Sequence, residues 1–128
     1  MATQDQKNNV KFLGTIAPQA VTGDVNGTEV DTLDFEAVTL FAHGDGTAVG
    51  TIKIQATDVS GSGYVDATAA EVIGTQDNDV NTTDTEISIG YIGDKRYVRA
   101  VWTNTTNGDV AANFALGCPS VAPVTGND

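Results

Sequence analysis

The chain has 128 residues, six basic and seventeen acidic, with a formal net charge of −11, 40% hydrophobic and 6% aromatic content. That length fits one domain with a lean core, and the charge argues against nucleic-acid and anionic-membrane partners, which are bound through Lys and Arg. A single cysteine, Cys118, excludes an intrachain disulfide, and a single histidine, His43, leaves nothing from which to build a nucleophile–histidine pair elsewhere.

Residues 1–9 are polar and are expected to form a flexible arm. They lack the apolar core of a signal peptide, and no apolar run approaches the ~20 residues that cross a bilayer, so cytoplasmic synthesis without Sec export is expected. Residues 10–16 alternate imperfectly and predict a first short strand, which Pro18 and the 22–27 loop interrupt. Residues 30–32 read as a short edge strand and 35–42 as a longer one, followed by a tight turn at His43-Gly44-Asp45-Gly46. Residues 50–57 alternate cleanly, with Ile52, Ile54 and Ala56 on one face and Lys53, Gln55 and Thr57 on the other.

A Gly/Ser loop over 58–63 leads to Tyr64-Val65-Asp66, and residues 68–73 are compatible with one helical turn. Residues 75–84 predict a long polar loop, and 86–91 resume the alternation. In 96–103, Tyr97, Arg99 and Val101 share one face and Arg96, Val98, Ala100 and Trp102 the other. Residues 104–109 read as the turn of a hairpin leading into 111–117. Short strands broken by Gly, Asn and Asp loops indicate an all-β domain, a β-sandwich or jelly roll over 10–118, with a tail over 119–128.

Candidate chemistry is sparse. His43 reads as a solvated turn residue and Cys118 as a small buried one. One His and one Cys do not make a zinc set. Asp77, Asp79, Asn81, Asp84 and Glu86 crowd one loop, but Thr82 and Ser88 stand where an EF-hand needs Gly and Glu, leaving a solvated loop or an irregular calcium site. No cofactor is expected. Lys95, Arg96 and Arg99 gather half of the positive charge, either to meet an acidic partner or to neutralise neighbouring carboxylates.

Residues 90–99, Gly-Tyr-Ile-Gly-Asp-Lys-Arg-Tyr-Val-Arg, follow a strand ending in Lys53-Ile54-Gln55, a Gly/Ser loop and a Tyr64-Val65-Asp66 step. Together these resemble the small virion proteins of tailed bacteriophages and prophages, including head-decoration (cement) proteins, over roughly residues 35–117. The resemblance implies a non-enzymatic protein, commonly a homotrimer, on the exterior of an assembled capsid, with the major capsid protein as partner and neither nucleic acid nor membrane. Contact with capsid or neighbouring subunit is expected at Val10, Phe12, Leu13, Tyr91, Lys95, Arg96 and Arg99. The alternatives are a tail or neck protein, or a carbohydrate-binding sandwich that presents Tyr91, Tyr97 and Trp102.

Overall fold

The structure, a computed structural model, describes residues 5–120. In chain order the strands are β1 (Lys11–Val21), β2 (Val25–Asn26), β3 (Val30–Asp31), β4 (Phe35–Gly44), β5 (Val49–Thr57) and β6 (Val65–Asp66). A single 3₁₀ turn, Ala69–Glu71, precedes β7 (Val72–Ile73), β8 (Asn78–Val80), β9 (Glu86–Tyr91), β10 (Tyr97–Thr106) and β11 (Gly108–Pro119). They form two antiparallel sheets, one ordered β1-β11-β4-β9-β7 and one β2-β10-β5-β6, with β3 also on β10 and β8 also on β5. The fold is a β-sandwich.

Period-two patterning builds it. Val38, Leu40 and Ala42 of β4 point inward, as do Ile52, Ile54 and Ala56 of β5. Val98, Ala100 and Trp102 of β10 close over them, and Val110, Ala112, Phe114 and Leu116 of β11 complete the opposite wall. Trp102, Phe114, Leu40 and Ile54 are fully buried, each worth roughly 1.5–3 kcal/mol of burial. The indole nitrogen of Trp102 still donates to Asn104 Oδ1 at 3.1 Å, so its polar edge is not stranded in the core.

Four local expectations are corrected. Residues 104–109 do not close a hairpin: β10 and β11 belong to different sheets, and the chain changes sheet between Thr106 and Gly108. A side chain at Gly108 would run into the Ala48 backbone, with Cα only 2.7 Å from its Cβ, so the corner needs glycine. Pro18 does not end β1, because a register shift between Ile16 and Gln19 accommodates it on an edge strand where its missing N–H costs little. His43 lies within β4 instead of in the turn, and Cys118 is exposed with φ +51.

The polar 75–84 stretch also contributes structure. The Gln76 amide accepts from Ile54 N at 3.0 Å and donates to Ile54 O at 2.7 Å and to Ala67 O at 3.0 Å. It thereby stands in for a strand residue on the edge of β5, between the stretches paired with β8 and β6. A second bulge in β1, between Gly14 and Ile16, turns Thr15 into the sandwich. Its hydroxyl accepts from Ala100 N at 3.1 Å and donates to Thr28 O at 2.8 Å, tying the two sheets together.

Candidate functional site

The residues singled out from sequence separate into three environments. Leu13 packs against the core, and Tyr91 is buried at the end of β9, its hydroxyl accepting from Lys95 N at 3.2 Å. Val10 is half-buried beside a turn in which Asn9 N and Val10 N donate to Gln6 O. Asp5 braces that turn, accepting from Asn8 N and Asn8 Nδ2, so the expected arm carries local structure from Asp5 onward, while residues 1–4 lie outside the described residues. Phe12 points outward and is 59% exposed.

The three basic residues of the 90–99 segment, by contrast, hold partners within the chain. Arg96 Nε and Nη2 grip both oxygens of Asp31 at 2.9 and 2.8 Å, and Lys95 Nζ reaches Asp58 at 3.2 Å. Arg99 donates from Nε and Nη2 to Gln55 Oε1 and lies 4.1 Å over the Tyr64 ring. Gln55 and Lys53 in turn donate to Asp66 at 2.8 and 3.0 Å. Glu29 receives the Tyr64 hydroxyl, the Ser60 hydroxyl at 2.6 Å and Gly61 N at 2.8 Å.

These bonds have electrostatic consequences. Hydrogen bonding from Arg96 holds the Asp31 carboxyl below the usual range, and Lys95 does the same for Asp58. Asp66 is lowered by Gln55 and then Lys53, and Glu29 by Ser60 and then Tyr64. Burial, followed by the bond to Glu29, pushes the Tyr64 phenol up. Four basic residues and four acids therefore meet on and beside the outer face of the second sheet. The net −11 rests on the remaining thirteen acids and two lysines.

The outer face of the first sheet is of another kind. Strand register sets Phe12, Ala115, Thr39, Gly90 and Ile73 in one row across all five strands. A second row runs Gly14, Asn113, Phe41 and Ser88, and a third pairs Gly117 with Ala37. None of these residues is ionisable, and Ile73 and Phe41 stand 64% and 44% exposed above a floor of Gly, Ala, Ser and Thr. Charge resumes at the next row, where Ala111 pairs with His43 and His43 with Glu86, and at the other end exposed Glu36 stands beside Ala37.

That last row borders a shallow, open depression of about 490 Å³ lined by Pro18, Gln19, Ala20, His43, Asp45, Asp109, Val110 and Ala111. His43 Nε2 lies 3.7 Å from Glu86, and Asp45 is occupied in its own turn, accepting from Thr47 N and Ala48 N at 2.9 and 3.0 Å. The depression presents no hydroxyl, thiol or amine side chain as nucleophile. Among the described residues no three His, Cys, Asp or Glu side chains gather where they could hold a metal ion. In the 75–86 loop, Asn81 Oδ1 is taken by Thr83 N and Asp84 N. No described helix is long and apolar enough to cross a membrane.

No protein-family model matches the chain, and no curated protein matches it. Among solved structures, the SPBc2 prophage-derived protein YomS shares its fold, with a TM-score of 0.53 at 15% identity, covering 85% of this chain and 95% of that one. The likeness extends to the sandwich as a whole. Of the three aromatics a carbohydrate platform would have used, Trp102 and Tyr91 are buried and only Tyr97 reaches the outer face. Sequence reading missed the first sheet's uncharged face because its residues lie far apart in the chain. Alternation could have found each strand's outward set, but not the register that aligns them.

Proposed function

We propose that this chain is a virion structural protein that binds the exterior of an assembled phage capsid and stabilises it, working by surface contact and not by catalysis. The reading is carried by the fold shared with a prophage-derived protein, joined to the resemblance of residues 53–66 and 90–99 to head-decoration proteins. Two well-formed outer faces support it. A ligand that binds only the assembled lattice stabilises that lattice by linkage, so many modest contacts suffice.

Of the residues expected at the capsid contact, Leu13 packs against the core and the Lys95, Arg96 and Arg99 side chains already hold intrachain partners, so we place the contact outside those four. Mass spectrometry of the virions that carry the protein, with copies counted against the major capsid protein, is the test. Hundreds of copies per particle support decoration, a single ring's worth favours the tail or neck, and absence from virions overturns both readings.

A further inference from the structure

We infer that Glu29 is a latch that holds the Gly/Ser loop 58–63 in one conformation at neutral pH and lets its outer half go when the carboxylate is protonated. The loop's composition, Asp-Val-Ser-Gly-Ser-Gly, is that of a slack linker, and ordering such a backbone has a high entropic cost. Two anchors hold it in place. The inner one is Thr57, whose buried hydroxyl accepts from Val59 N at 3.1 Å and donates to Ser62 O at 2.8 Å. The outer one is Glu29, which reaches the loop from the segment between β2 and β3. It receives the Ser60 hydroxyl at 2.6 Å, Gly61 N at 2.8 Å and the Tyr64 hydroxyl.

An ionised carboxylate only accepts, and its charge strengthens each of the three bonds. Protonation removes that charge and turns one oxygen into a donor. The two hydroxyls can rotate to suit, but Gly61 N–H can only donate, so its bond is the one that reports the latch. The titratable and charged groups around Glu29 are few. Asp31, on its own segment, opposes its ionisation but is itself gripped by Arg96. Arg99 and Tyr97 of β10 act on Tyr64, and Asp58, at the start of the loop, is held by Lys95. The three donors outweigh Asp31, and the Glu29 carboxyl lies below the usual glutamate range. The latch is therefore fully engaged above that range and opens as pH falls through the folded value. Val59, 60% exposed on the inner half, keeps its tie to Thr57 when the outer half lets go.

The inference rests on this loop and not on the virion reading, so each can fail without the other. Amide NMR of the full chain, titrated from neutral pH down to acid unfolding, tests it. The Gly61 N–H signal should lie downfield at neutral pH and move upfield in one transition before the strands unfold. Its midpoint should fall below the ordinary glutamate value of about 4.3, and the Tyr64 ring signals should follow the same curve. Glu29→Gln should abolish the transition and speed exchange of Gly61 N–H about tenfold at fixed pH, as loss of one hydrogen bond predicts. Ser60→Ala, which takes away one donor, should raise the midpoint toward the ordinary value. Asp58→Asn should leave the Gly61 transition in place, because Asp58 bonds Lys95 and Arg96 N instead. Circular dichroism melts confirm the fold of each variant, and should Glu29→Gln prove poorly folded, the Ser60→Ala midpoint decides. A Gly61 signal that moves only with global unfolding overturns the inference. So does a transition that survives in folded Glu29→Gln, or a Ser60→Ala midpoint equal to that of the wild type.

Discussion

Single residues in this sandwich do work that their type alone does not announce. Gln76 replaces a missing strand residue, and Gln76→Ala would leave Ile54 N, in the buried wall, without its acceptor. The expected cost is about 1–3 kcal/mol, read as a lower urea midpoint with unchanged slope; a loss too small to measure would mean that water takes the place of the amide. Gly50 is constrained by space. A Cβ there would lie 2.6 Å from Trp102 Cζ2 and would also strike Thr103 O, both parts of the neighbouring strand. Gly50→Ala should therefore destabilise by about 1–3 kcal/mol through overpacking, and a wild-type melting temperature would show that Trp102 can shift at no cost.

Among the elements, β1 is the one whose reading changed most. Its first residues pair with β11, Lys11 with Leu116 and Leu13 with Phe114, and Leu13 packs on the core. A deletion of residues 2–9 should leave the melting temperature within a few degrees of wild type, because it spares every strand. A deletion of residues 2–13 removes that pairing and should lower it sharply. Equal melting temperatures for the two deletions would show that the start of β1 contributes nothing. The 90–99 segment also gains a role at this scale. It carries the chain from the first sheet to the second, and Asp31 and Asp58 anchor it through Arg96 and Lys95.

For the whole molecule, charge is divided by location: one outer face with a central patch free of ionisable groups and acids at its border, one nearly neutral by internal pairing, and the remaining acid around them. The sign of the pH dependence follows from the paired carboxylates. Asp31, Asp58, Asp66 and Glu29 all have folded pKa values below their ordinary ones. Their contribution is present above the ordinary carboxylate range, near about 4, and is lost as pH falls through it toward the folded values. Melting temperature should thus be level near neutrality and fall below about pH 4, with a shallower fall in Asp31→Asn. A melting temperature that rises steadily to about pH 3 would mean that relief of the net charge outweighs the loss of these bonds. Each exposed pair adds little at neutral pH, because solvent screens it.

Composition and alternation alone determined that the chain is all-β, where most long strands lie, and which side of β4, β5 and β10 is buried, because side-chain parity is a local property of extended backbone. Tertiary structure decided what lies between and across the strands. The 104–109 turn changes sheet, Pro18 sits in a bulge, Gln76 completes a ladder, and the 90–99 cations find Asp31, Asp58 and Gln55. Register is a long-range property: Phe12, Thr39, Ile73 and Ala115 become neighbours only when five strands pair. The uncharged face exists in the fold and nowhere in the linear order of residues.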